Sequence, residues 1–235
     1  MTDRPSVESE APPSVLARLQ AGLEALYRVE TSLPVEGFLI DEDARRRACP
    51  ARSPREQVLV RETASGEHLD IGLFVDPEAL INLERNDPGR LLDDTNFADF
   101  CVALEGVSHF VYLALCAADD RRVSALELEL QAEVDKFACC ALLVGGHGRA
   151  GAPWPSPLER LRRRLYHEVA FAPDLDGDEH DRYRAANAEA RRYASALDAR
   201  YVTPARVPAM LAELRWFYRL GLDAKLGHIA RVAAG

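Results

Sequence analysis

One long segment, Phe97–Ala118, constrains the fold of this chain more than any other feature. Its residues are apolar around nearly the whole circumference of a helix, and a helix of that kind is buried. Asp99, Glu105 and His109 interrupt the apolar surface, and charged groups are costly at the depth of a bilayer. We therefore predict the core helix of a soluble protein, with no membrane as a partner, and expect the remaining elements to pack around it.

A second helix is predicted directly after this segment. Ser124 and Glu127 form a capping box at its start, and Gly145 and Gly146 end it. Only about five residues separate the two helices, so they should pack antiparallel. Residues 97–144 are thus predicted to form a central antiparallel helical hairpin.

A narrow polar stripe runs along the first helix of the hairpin. Glu105, Ser108, His109 and the hydroxyl of Tyr112 occupy positions i, i+3, i+4 and i+7, which share one edge of a helix. A polar group on a buried helix needs a partner, because leaving it unpaired costs free energy. The stripe is therefore the strongest candidate for a site.

The second helix carries an acidic edge that could meet this stripe. Glu129 and Glu133 are one turn apart, and counting through the turn places Glu133 opposite His109. The same count places Tyr112 opposite Glu129 or Leu130. The predicted polar cluster consists of Glu105, Ser108, His109, Glu129 and Glu133.

Three interpretations of this cluster stay open. The first is a hydrogen-bond network that holds the hairpin in register, with Lys136 as an additional partner. The second is a metal or acid–base site with His109, Glu129 and Glu133 as ligands, since imidazole and carboxylate together suit zinc, iron or manganese. The third is a groove for a ligand or partner. The Glu-x-x-x-His spacing differs from the HExxH zinc helix and from the Glu-x-x-His of di-iron bundles.

A small sheet is predicted before the hairpin. Leu69, Ile71, Leu73 and Val75 alternate with other residues, as in a half-buried strand of a β-hairpin. An Arg-rich, Pro-punctuated loop, residues 41–56, should separate the first strand from the second. The three predicted antiparallel strands are residues 35–40, 57–63 and 68–75. The fold class is therefore α+β and mostly α-helical.

Composition predicts the domain organisation. Residues 1–12 are polar and Pro-rich and should form a disordered tail, and residues 13–235 a single domain. Within that domain, residues 13–144 hold the sheet and the hairpin. A Gly- and Pro-rich flexible linker, residues 145–155, then leads to amphipathic helices over residues 156–235, which should pack on the first part.

Charge and cysteine content restrict the partners and the compartment. The net charge of −9 argues against nucleic acid, because affinity for nucleic acid depends on neutralising phosphates with Lys and Arg. The five cysteines contain no CxxC pair and are odd in number, which does not suit a disulfide framework. Four of them lie in apolar helical runs. They are predicted to be reduced thiols of a cytoplasmic protein.

The leading functional hypothesis is a non-catalytic intracellular adaptor or regulatory protein that acts through contacts with another protein and needs no cofactor. It rests on the lack of a recognisable nucleophile, phosphate loop or standard metal motif. The alternative is a metal-dependent enzyme, a hydrolase, that uses the His/Glu cluster of the hairpin. A third hypothesis is a nucleic-acid-associated protein that uses the loop 45–55 and the helix 157–165.

Overall fold

The computed structural model describes residues 12–62, 69–146, 156–169 and 176–234. Most of the predicted tail, residues 1–12, and of the predicted linker, residues 145–155, lies outside them. Helices make up 68% of the structure, beside one small antiparallel sheet. This confirms the predicted mostly helical α+β class.

Nine α-helices, two strands and two short helical turns form the described part of the chain. The α-helices are α1 (Val15–Tyr27), α2 (Glu42–Ala48), α3 (Pro77–Arg85), α4 (Phe97–Ala118), α5 (Ala125–Gly146), α6 (Ser156–Tyr166), α7 (Gly177–Leu197), α8 (Val207–Tyr218) and α9 (Leu222–Ala233). The strands are β1 (Glu56–Glu62) and β2 (Leu69–Val75). A 3-10 turn spans Val35–Phe38, and a π-helical turn spans Asp198–Val202.

Helices α4 and α5 form the predicted central hairpin. The two helices are antiparallel. Tyr112 contacts Glu127 near the turn between them, and Glu105, which is earlier in α4, contacts Lys136, which is later in α5. Helix α4 is the one described helix that is long and apolar enough to span a membrane by length and composition. The protein buries 72% of its apolar stretch, which is typical of the core helix of a soluble protein.

The sheet has two strands instead of the three predicted. Strands β1 and β2 pair antiparallel, with Glu56 opposite Val75. Residues 35–40 contribute only one bridge, from Leu39 to Leu73. The side chain of Gln20 accepts a hydrogen bond from the backbone N–H of Val35 at 2.8 Å. This bond uses a backbone donor that a strand would need and draws the segment onto α1, so the segment turns instead of extending.

The predicted Arg-rich loop 41–56 contains a helix, α2. Asp41 caps it by accepting a hydrogen bond from the backbone N–H of Ala44 at 2.7 Å. Arg45 points into the protein, where it is 1% exposed, and pairs with Glu42 at 2.8 Å. The prediction of a loop was wrong. The N-cap at Asp41 and the ion pair between Arg45 and Glu42 both lie within this segment and stabilise a short helix there. One of the arginines expected on a basic surface is therefore buried.

The C-terminal helices pack against the second helix of the hairpin. Helices α6 and α7 both contact α5. The hydroxyl of Tyr166 donates to the backbone carbonyl of Glu133 at 3.1 Å, and the Asn187 amide donates to the carbonyl of Leu165 at 3.1 Å. These contacts cover the acidic edge of α5 and thereby help to enclose the polar side chains between α4, α5 and β1.

Candidate functional site

The polar stripe of α4 divides into two groups that face different neighbours. Ser108 donates a hydrogen bond to Asp135 at 2.6 Å, and Tyr112 donates one to Glu127 at 2.7 Å. Glu105 and His109 lie on the other side of the stripe. The five residues of the predicted cluster therefore do not form one site, because Ser108 belongs to a separate network.

His109 lies between two carboxylates. Its Nε2 is 3.6 Å from Oε2 of Glu129, and its Nδ1 is 3.8 Å from Oε2 of Glu56. Both distances suit an ion pair but exceed a normal hydrogen bond. His109 is only 5% exposed, and neither its Nε2 nor Oε2 of Glu56 has a hydrogen-bond partner among the described residues. Such unpaired atoms are rare in protein interiors and call for an explanation.

Glu56 reaches the site because α4 has a glycine at the point of approach. A Cβ atom on Gly106 would lie 3.2 Å from Oε2 of Glu56 and 3.0 Å from Cδ1 of Leu73. A glycine inside a helix costs about 1 kcal/mol relative to alanine. Here it lets the first residue of β1 lie against the helix backbone, one turn before His109.

Three side chains are arranged to hold a metal ion. Glu105, His109 and Glu129 each offer one ligand atom, and these atoms lie within 4.8 Å of one another. Imidazole and carboxylate donors together suit zinc, iron and manganese. The structure thus groups two of the predicted ligands, His109 and Glu129, with Glu105, whereas Glu133 contacts Lys136 at 2.6 Å.

Lys136 supplies a fixed positive charge beside these ligands. Its Nζ lies 3.1 Å from Glu105 and 2.6 Å from Glu133. Although burial lowers the pKa of Lys136, Glu105 and Glu133 hold it well above its ordinary value. Burial and the nearby charge of Glu129 raise the pKa of Tyr183 of α7. We call the whole group the His109 cluster, which comprises Glu56, Glu105, His109, Glu129, Glu133 and Lys136.

The His109 cluster contains four acidic side chains and two basic ones. Burial raises the pKa of Glu56 and of Glu133. Burial by itself would raise the pKa of Glu129, but the effect of the nearby His109 is larger, and the pKa of this carboxyl is lowered. The pKa of His109 is depressed by burial and raised more strongly by Glu129 and Glu56, so it ends well above its ordinary value. The cluster therefore contains more acidic than basic side chains, and its carboxylates favour the protonated form of His109.

A second polar group, which we call the Lys225 network, fills the other side of the hairpin. Lys225 of α9 is fully buried and donates to the hydroxyl of Tyr112 at 2.6 Å and to Oε1 of Gln131 at 2.7 Å. Burial lowers the pKa of Lys225 to about 7 and raises that of Asp135 to about 6. The network comprises Tyr27, Ser108, Tyr112, Glu127, Gln131, Asp135 and Lys225. These groups hydrogen-bond one another, so the network is a structural connection between α4, α5 and α9.

Sequence reasoning missed six members of these two groups: Tyr27, Glu56, Glu127, Gln131, Asp135 and Lys225. Glu56 comes from a strand far from the hairpin in sequence, and Lys225 lies in a C-terminal helix for which the sequence predicted no site. Glu127 does begin α5 as predicted, since Ser124 accepts a hydrogen bond from its backbone N–H at 3.2 Å. Its carboxylate, however, contacts Tyr112 and Arg121. The glycine at position 106 was the one available signal for a close approach to α4.

Comparison of the chain with protein-family models, with curated proteins and with solved structures found no match. The description of the chain rests on its own fold and site. The chain is a mostly helical α+β protein with a buried carboxylate–histidine cluster that could hold a metal ion.

Proposed function

We propose that the chain binds one divalent transition-metal ion through Glu105, His109 and Glu129. One observation carries this proposal: ligand atoms of two buried side chains and one half-buried side chain converge within 4.8 Å, and Nε2 of His109 has no hydrogen-bond partner among the described residues. A metal ion at that position would satisfy the imidazole nitrogen and two carboxylates together. A purely structural network would be expected to bring these groups to hydrogen-bond distance.

Electrostatics supports a divalent ion. The cluster holds more acidic than basic side chains, and a divalent ion would offset part of that acidic excess. His109 must lose a proton before Nε2 can bind metal, because only the neutral imidazole is a ligand. Since Glu129 and Glu56 raise the pKa of His109, the affinity for metal should increase as the pH rises.

Hydrolysis is the reaction that this site would support best. A metal ion held by Glu105, His109 and Glu129 would have room for a water ligand and would make that water a nucleophile near neutral pH. Glu133 supports this assignment because its Oε2 is buried without a hydrogen-bond partner among the described residues, and burial raises its pKa. A carboxylate in that condition is suited to accept a proton as a general base.

A titration of the metal-free chain tests the proposal. We expect Zn²⁺ or Mn²⁺ to bind with a stoichiometry of about one and to raise the melting temperature, because a ligand that binds only the folded state stabilises it. His109→Gln should weaken binding at least about 100-fold, since even residues that merely orient ligands contribute about 10–100-fold. Isothermal titration calorimetry and elemental analysis measure both quantities.

His180→Gln is the matched control, because His180 lies outside the cluster and its side chain is 42% exposed. This variant should bind metal as tightly as the unmodified chain. An unmodified chain that takes up no metal from pH 6 to pH 9, or equal losses in the two variants, would contradict the proposal.

The adaptor function predicted from the sequence, with another protein as partner, stays a prediction. We assign the chain to the cytoplasm within the present proposal. The support for this assignment is that all five cysteines are free, as expected in a reducing compartment.

A further inference from the structure

A broad groove opens between α6, the C-terminal half of α7 and the end of α9. Its volume is about 1050 Å³, which is at the upper end for small-molecule sites. The groove lies apart from the His109 cluster and shares none of its residues. Its most distinctive feature is the set of arginines along its walls: Arg162, Arg163, Arg191, Arg192 and Arg200.

The groove is positively charged in a protein whose net charge is −9. Five arginines face two lining carboxylates, Glu159 and Glu168. Carboxylates outside the lining pair with Arg162 and Arg192, so three lining arginines have no carboxylate partner among the described residues: Arg163, Arg191 and Arg200. Concentrating positive charge on one surface of an acidic protein raises the local concentration of anions and speeds their association. An anion with several negatively charged groups can pair with more than one of these arginines, whereas a single carboxylate cannot.

Two of the arginines are held in place by other parts of the protein. Arg162 lies 3.4 Å from the buried carboxylate of Asp198, and Arg200 donates to the backbone carbonyl of Val232 at 3.0 Å. The first contact joins α6 to the π-helical turn that contains Asp198, and the second joins that turn to α9. The walls of the groove are therefore fixed before any ligand arrives, which lowers the entropy cost of binding.

Two other arginines remain available to a ligand. The guanidinium groups of Arg163 and Arg191 make no hydrogen bond or ion pair to any other described residue, and both residues are exposed. Arg163 belongs to α6 and Arg191 to α7. By contrast, Arg192 pairs with Glu189 at 3.0 Å. A ligand between the walls could therefore engage a planar guanidinium from each side.

We propose that this groove binds a nucleoside polyphosphate. The planar fork of arginine matches the oxygens of phosphate with two parallel hydrogen bonds, and three arginines without a carboxylate partner suit a polyphosphate chain. The remaining lining includes the apolar residues Ala196, Ala199 and Val232, against which a base could lie. The volume accommodates a ligand of that size.

Calorimetric titration with ATP in the presence of EDTA tests the site without any contribution from bound metal. The double variant Arg163→Gln/Arg191→Gln should weaken ATP binding at least about ten-fold, because charge-assisted hydrogen bonds are the strong ones. The matched control is Arg160→Gln/Arg184→Gln, which changes the same charge on the same two helices outside the groove. It should change affinity less than about two-fold, since exposed distant charges are screened.

Parallel titrations define the ligand. Weaker binding of inorganic tripolyphosphate than of ATP would support the nucleoside polyphosphate, because the base then contributes. Equal affinities would overturn that assignment in favour of inorganic polyphosphate, and tighter binding of a single-stranded oligonucleotide would overturn it in favour of nucleic acid. A chain that binds none of these probes at millimolar concentration, or that loses affinity equally in both double variants, would overturn the site itself.

Discussion

Replacing Phe110 with alanine is expected to lower the free energy of unfolding by about 3–5 kcal/mol. The side chain is fully buried in α4, and its ring packs against Phe38 with a centroid distance of 4.9 Å. Truncation would leave a cavity beneath the turn that joins α1 to α2. The substitution also preserves the polar face of α4, so the loss should come from packing. Urea denaturation followed by circular dichroism measures the change.

Leu91→Ala is the control for this prediction. Leu91 is also a large apolar residue, but it is 56% exposed, and exposed substitutions usually change stability by no more than about 0.5 kcal/mol. Similar losses in the two variants would show that α4 is not the core helix that the structure describes.

Replacing Lys225 with methionine should remove a strong dependence of stability on pH. Burial lowers the pKa of Lys225 to about 7, from an ordinary value of 10.5. Between these values the unfolded chain binds more protons than the folded chain, so this lysine makes the free energy of unfolding rise with pH. From pH 7 to pH 8.5, the difference between the unmodified chain and Lys225→Met should grow by about 2 kcal/mol in favour of the unmodified chain.

The comparison requires the variant because His109 acts in the opposite direction. Its pKa is raised, so its stabilisation is complete below its ordinary value of 6.5 and is lost as the pH rises through the value in the folded state. In the unmodified chain, Lys225 and His109 change the free energy of unfolding in opposite directions as the pH rises. The difference between the unmodified chain and Lys225→Met isolates the contribution of Lys225. Asp135 should reinforce the trend, because losing the nearby ammonium raises the pKa of its carboxyl further.

Arg231→Met controls for the loss of a positive charge on the same helix, since Arg231 is exposed. Urea titrations at pH 7 and pH 8.5 should give the same difference from the unmodified chain at both values. If Lys225→Met behaves in the same way as this control, Lys225 remains charged throughout, contrary to the prediction.

The central hairpin was predictable from the sequence because its signals are local. An apolar circumference over Phe97–Ala118 can only be buried, and the capping box at Ser124 marks the next helix. The proximity of His109 to Glu129 follows from helix periodicity and a short turn. Counting through the turn paired His109 with Glu133, but the structure brings it beside Glu129, one turn away. A turn of unknown shape leaves the relative shift of two helices undetermined by about that amount.

The remaining features depend on contacts between distant segments. Nothing in the residues around Glu56 indicates that β1 lies across α4, and only the tertiary fold shows why position 106 is glycine. Local patterns also favoured a strand over residues 35–40, whereas the structure has a 3-10 turn there, whose first backbone N–H, at Val35, donates to the distant side chain of Gln20. The division of the stripe on α4 into two groups depends on what packs on each side, and periodicity along one helix carries no information about that.

The bond between Lys225 and Gln131 has a consequence for synthesis of the protein on the ribosome. The two residues are 94 positions apart in the chain. Translation adds about 5–20 residues per second, so α9 leaves the ribosome roughly 5–20 s after the hairpin does. During that interval Gln131 and Asp135 lack the ammonium that the folded network gives them. We therefore expect the nascent hairpin to remain loosely packed and accessible to chaperones until α9 docks, so that α9 sets the moment at which folding is completed.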